Sequence, residues 1–119
     1  MVDRVSEEVD RLRSGGLELG QIGIVSLRGQ TAPGAIYGLP RIGRHPFVRA
    51  DSADMETSLV ADSFLRWKGL ERPAIIVTDI PETALTQLPV RLNVALTRAM
   101  LSVRFVGTAP ALDLAGVSR

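Results

Sequence analysis

The 119-residue chain contains no cysteine, which removes disulfides, thiolate metal sites and cysteine nucleophiles together. Histidine occurs once, at His45, so neither a histidine-based zinc site nor a Ser-His-Asp triad has a full set of parts. Lysine also occurs once, at Lys68, with no glycine before it; a phosphate loop ending in Gly-Lys-Ser/Thr is therefore absent. No uninterrupted apolar run approaches the roughly 18 residues of a membrane-spanning helix, and no charged-then-apolar leader opens the chain. Charge of one sign is not in excess either. Fourteen basic residues against 13 acidic ones give +1, which is not the balance of a strongly basic nucleic-acid module, although a local basic patch stays open.

What is present suits an ordinary folded unit. The chain is 45% apolar and 23% charged, enough for a core, and its length fits one domain on the usual scale of about 100–150 residues. We expect a single domain over residues 1–119, soluble and cytoplasmic, with no membrane partner. Arginine supplies all but one of the 14 basic residues. A codon-usage bias explains that as well as a need for planar guanidinium forks against phosphate does.

The opening segment predicts a helix. Val2, Val5, Val9 and Leu12 recur at three- and four-residue steps, Asp3 can cap the start, Arg11 and Arg13 suit the negative end, and Gly15-Gly16 stops it. Gln21–Leu27 (QIGIVSL) is β-branched and short, a buried strand. Residues 29–46 are rich in Gly and Pro and read as an irregular segment, with a brief strand near Ile36–Leu39. Phe47–Ala50 is expected as another short strand, and Ser58–Ser63 as a strand entering a helical turn through Trp67. Ala74–Thr78 (AIIVT) is the clearest strand, apolar throughout and so covered on both faces. Leu88, Leu92, Ala95, Leu96 and Ala99 define one helical stripe, with Pro89 in the first turn. Ser102–Gly107 (SVRFVG) is a last strand, and Thr108 with Pro110 opens a short final helix. This alternation predicts an α/β fold: a parallel sheet with flanking helices, whose ligands would gather outside the carboxyl ends of the strands.

Three segments carry candidate chemistry. Arg28 directly follows a buried strand, where it can meet an anion or cap a loop carbonyl. Lys68-Gly69-Leu70-Glu71 precedes the AIIVT strand; Gly69 permits close backbone approach, and Glu71 can accept from a ribose hydroxyl or stand as a solvated charge. On the amphipathic helix, Thr97 and Arg98 fall at the flank of the apolar stripe. A guanidinium held there suits a terminal phosphate, or equally a surface ion pair. Trp67 can stack a base or anchor the core. His45 has no second ligand near it in sequence. Asp79 at a strand end suits a turn or cap rather than a metal.

Read in order, these segments resemble the second RecA-like domain of superfamily 1 helicases. KGLE before an apolar strand is similar to motif V of the UvrD/Rep-like branch, RLNVALTRA to motif VI and IVSLRG to motif IV. The resemblance implies a RecA-like, three-layer P-loop NTPase second domain. It implies that Arg98 is the arginine finger on the γ-phosphate of ATP and Arg28 a second phosphate-contacting arginine. Gly69 and Glu71 would line the nucleotide, with Lys68 and Thr97 also in its binding set. The stretch Asp62-Ser63-Phe64 would face single-stranded DNA or RNA, with Ser63 and Phe64 the contact residues. The histidine usual before KGLE is missing, since that region reads Ser63-Phe64-Leu65-Arg66-Trp67. Only 38 residues, 30–67, separate motifs IV and V, too few for an inserted accessory domain.

The resemblance further implies that ATP with Mg²⁺ is held mainly by an N-terminal RecA-like domain carrying the phosphate loop, which this sequence does not contain. The chain is then expected to be the C-terminal part of an ATP-dependent motor and to hydrolyse ATP negligibly alone. The alternative expectation is a non-catalytic interaction or regulatory module with a helicase-like shape.

Overall fold

The computed structural model describes residues 2–28, 34–67, 70–81 and 88–116. Helix α1 (Val2–Ser14) forms as its spacing predicts, burying Val5, Val9 and Leu12 on one side. Strand β1 (Ile22–Ser26) follows, then β2 (Val60–Ser63), β3 (Arg72–Thr78), helix α2 (Leu88–Leu96), β4 (Ala99–Phe105) and helix α3 (Ala109–Leu114). The four strands make one sheet in the order β2-β1-β3-β4, every pair parallel.

Alternation along the central strands divides the core in two. Ile22 and Ile24 of β1 and Ala74 and Ile76 of β3 face α1, packing with Val5, Val9 and Leu12. Val25, Ile75 and Val77 face the other way, against Trp67, Phe64, Leu88 and Ala95 of α2 and Ala111 of α3. Helices thus cover both faces of a parallel sheet, an α/β three-layer arrangement compatible with a RecA-like fold. No described helix is long and apolar enough to cross a membrane.

Several local expectations are corrected. Ile36–Gly38 is a 3₁₀ turn, not a strand; its first N–H donates to Asp79 Oδ2 at 2.9 Å, which fixes the turn instead of a ladder. Phe47–Ala50 contributes only an isolated parallel bridge, Val48 to Val60. The helical stripe ends early: α2 stops at Leu96, which is 45% exposed, and Ala99 already begins β4. The hydroxyl of Thr97 donates to the carbonyl oxygens of Asn93 and Val94, ending the helix by satisfying its last acceptors. Strand β4 starts before Ser102 because it carries a bulge. Arg72 pairs with Ala99 and Ala74 with Ser102, so three steps on β4 answer two on β3. The last helix is capped as expected, Thr108 Oγ1 accepting from Ala111 N.

Candidate functional site

Because all strands run one way, the sheet has two chemically distinct edges. Arg28 lies two residues past the end of β1 and so stands at the carboxyl edge; Arg98 directly precedes the first residue of β4 and stands at the amino edge. The length of β3 lies between those edges, about 20 Å at the usual rise per residue. The structure therefore does not bring together the two arginines expected to share a phosphate.

At the amino edge, Arg98 is half-buried and held on three sides. Its Nε donates to Val94 O at 3.2 Å, Nη1 to Trp67 O at 3.3 Å and Nη2 to Thr97 Oγ1 at 3.0 Å. Its own carbonyl accepts from Arg72 N at 2.9 Å, which ties the end of α2 to the start of β3. Glu71, the residue before Arg72, is exposed, and Thr97 is exposed with its hydroxyl engaged as above. Lys68 and Gly69 lie outside the described residues. The amino edge thus gathers Arg98, Thr97 and the Trp67–Arg72 region. A guanidinium has five N–H groups, and three are used here. One remains on each terminal nitrogen, the pair that a phosphate oxygen or carboxylate would take.

Trp67 is core, not a stacking platform. It is fully buried, its indole N–H donates to Ile24 O at 3.1 Å, and the guanidinium of Arg72 sits 5.9 Å from its ring. Arg72 in turn donates to Glu71 O at 2.7 Å and Met55 O at 2.9 Å.

At the carboxyl edge, Ser26 Oγ donates to Asp79 Oδ2 at 2.6 Å and accepts from Arg28 N at 3.2 Å. Asp79 has φ 54°, a left-handed conformation that aspartate tolerates, and it acts as the turn anchor expected of it. Arg28 itself is exposed, with Nη1 beside Gly34. The nucleic-acid contacts expected of Ser63 and Phe64 are not available as read. Ser63 is fully buried and its hydroxyl accepts from Leu65 N at 3.2 Å; Phe64 is 6% exposed and its ring lies 4.9 Å from the Arg91 guanidinium. Their neighbours Leu65 and Arg66 are the exposed residues of that turn.

Sequence reasoning missed a second cluster on this edge. Asp62 is wholly buried, accepts from Arg49 Nη2 at 2.7 Å and Ala50 N at 3.0 Å, and lies 3.9 Å from Arg66 Nε. The bond to Asp62 raises the pKa of Arg49, whose guanidinium also stands 4.6 Å over Tyr37, and burial raises the tyrosine's pKa. Arg91 was also missed: it donates to Leu27 O at 2.7 Å and pins the start of α2 to the end of β1. The signal for Asp62 was a carboxylate directly after the apolar run Leu59–Ala61. His45 is likewise structural, buried with Nε2 2.8 Å from Asp10 Oδ1 on α1. Among the described residues no group of three His, Asp or Glu side chains is arranged to hold a metal ion.

No protein-family model matches the chain, and no curated protein matches it.

Proposed function

We propose that the chain is the second motor domain of a superfamily 1 helicase, working in the cytoplasm. Arg98 meets the terminal phosphate of ATP held by a separate RecA-like domain, and hydrolysis drives movement along single-stranded DNA or RNA. The observation that supports this most is the meeting of two chain segments at one edge. The VALTRA helix and the residues flanking KGLE are joined by Arg98 Nη1 to Trp67 O and by Arg72 N to Arg98 O. That junction presents a guanidinium with two unspent N–H groups, and Glu71, the residue before Arg72, is exposed.

The chemistry follows from electrostatics. A fixed guanidinium offsets charge on the transferred phosphoryl group without reorganising at the moment of reaction. Glu71 would accept from a ribose hydroxyl. The triphosphate and Mg²⁺ need the phosphate loop and carboxylates of the other domain. Arg28 has no part in this contact, being at the far edge of the sheet. Strand contact would run through Leu65 and Arg66 rather than the buried Ser63 and Phe64.

The separation of Arg28 from Arg98 favours a second reading, a non-catalytic interaction module. Hydrolysis assays separate the two. The motor reading expects negligible ATP turnover by the isolated chain and turnover stimulated by single strands when it is joined to a phosphate-loop domain. No turnover by the joined protein, with or without a single strand, supports the module.

A further inference from the structure

We infer that Trp67, a core residue, is the positioning residue for the Arg98 guanidinium. This rests on the phosphate-facing role proposed above for Arg98, and it concerns how that group is held. The indole is fixed from two directions. Its N–H is bonded to Ile24 O in the middle of β1, and its six-membered ring occupies the space a side chain on Gly23 would need. A Cβ at Gly23 would stand 2.2 Å from Trp67 Cη2 and 2.8 Å from Cζ2. Only glycine admits the ring there. The ring anchors the Trp67 backbone to the sheet, and the Trp67 carbonyl accepts from Leu70 N at 3.1 Å and from Arg98 Nη1 at 3.3 Å.

The other two bonds of the guanidinium are local. Val94 and Thr97 lie on the same turn as Arg98 and would travel with it if the end of α2 shifted. Among the described residues, Trp67 O is the partner of the Arg98 side chain that belongs to another part of the fold. It therefore sets where the guanidinium stands relative to the sheet. The arrangement matters because a misplacement of about 1 Å at a reacting centre can cost a hundredfold in rate.

The test begins with the whole chain, labelled with nitrogen-15 in arginine. In the unaltered protein the Arg98 Nε–H and Nη–H signals should be resolved and exchange slowly. Gly23→Ala, which displaces the ring, and Trp67→Phe, which removes the indole N–H and one ring, should speed that exchange at least tenfold with circular dichroism unchanged. Where Gly23→Ala does not fold, Trp67→Phe decides. Unaltered Arg98 signals in a folded Trp67→Phe protein overturn the inference.

Hydrolysis by the chain joined to a phosphate-loop domain gives the second readout. Trp67→Phe should lower kcat at least tenfold with KM unchanged, and should cost nothing further in an Arg98→Ala background. A loss that adds in full to that of Arg98→Ala overturns the inference. If Arg98→Ala leaves kcat unchanged, the phosphate-facing role fails, and the arginine signals still decide what Trp67 does.

Discussion

Arg49 reaches Asp62 from outside the sheet, its Nη2 donating at 2.7 Å to a carboxylate that is wholly buried at the end of β2. The arginine side chain is 37% exposed, so it spends little solvation to neutralise a group that would otherwise be expensive to bury. Arg49→Met leaves Asp62 with the N–H groups of Ala50 and Ser63 and the more distant Arg66 guanidinium, 3.9 Å away. We expect a loss of about 2–3 kcal/mol, the value of a charge-assisted bond to a buried group. Chemical denaturation measures it, and adding Asp62→Asn should recover part of the loss by removing the stranded charge. A change under about 0.5 kcal/mol in the single variant, the range of ordinary surface substitutions, contradicts the assignment.

The Asp10–His45 contact joins α1 to the irregular segment between β1 and β2. The bond from His45, with Arg44 assisting, holds the Asp10 carboxyl below its ordinary 3.8. A carboxylate whose folded pKa is depressed contributes stability above its unfolded pKa and loses it as pH falls through the folded value. Stability should therefore decline as pH drops below about 4, the ordinary aspartate range. Asp10→Asn should flatten that part of the profile. Denaturant midpoints collected from pH 2 to 6 test it, and identical acid limbs in both proteins contradict it.

Gly43 combines two constraints. Its φ is +60°, and a Cβ would stand 2.3 Å from Ser6 Oγ on α1. Gly43→Ala therefore meets a backbone penalty and a clash at once, and we expect a loss of about 1–3 kcal/mol. Adding Ser6→Gly should relieve the clash and leave the backbone share. Equal stability of Gly43→Ala and the unaltered chain would show that this loop does not pack on α1 in solution.

Much of the fold was legible because burial on both faces leaves a plain mark. AIIVT is apolar at every position since β3 lies between two helical layers, and Val5, Val9 and Leu12 repeat because one side of α1 is covered. Where local pattern and tertiary context part, the sequence misleads. Periodicity carries the α2 stripe on to Ala99, but Thr97 caps the helix carbonyls and the chain turns into β4. The bulge at Met100 and Leu101 breaks the alternation that would have marked the strand's start. The resemblance would set Ser63 and Phe64 against a single strand, yet both side chains are buried.

The candidate site was legible as chemistry and not as geometry. Motif order along the chain brings Arg28 and Arg98 into one list. Which edge of a parallel sheet each reaches depends on whether it enters or leaves a strand, and on strand order. Trp67 reads equally as core or as a stacking group in the sequence, because the Gly23 that makes room for its ring lies 44 residues earlier in the chain. Arg49 carried no signal of its own, because its partner Asp62 lies 13 residues away on another element.

The most direct test of the central claim is the turnover number for ATP of the chain joined to a phosphate-loop domain, with single-stranded DNA or RNA present, for the unaltered protein and for Arg98→Ala. A guanidinium that offsets charge on the transferred phosphoryl group predicts a fall in kcat of about a thousandfold or more, with little change in KM. Equal turnover numbers would contradict it and leave Arg98 as no more than a clasp between α2 and the segment ahead of β3.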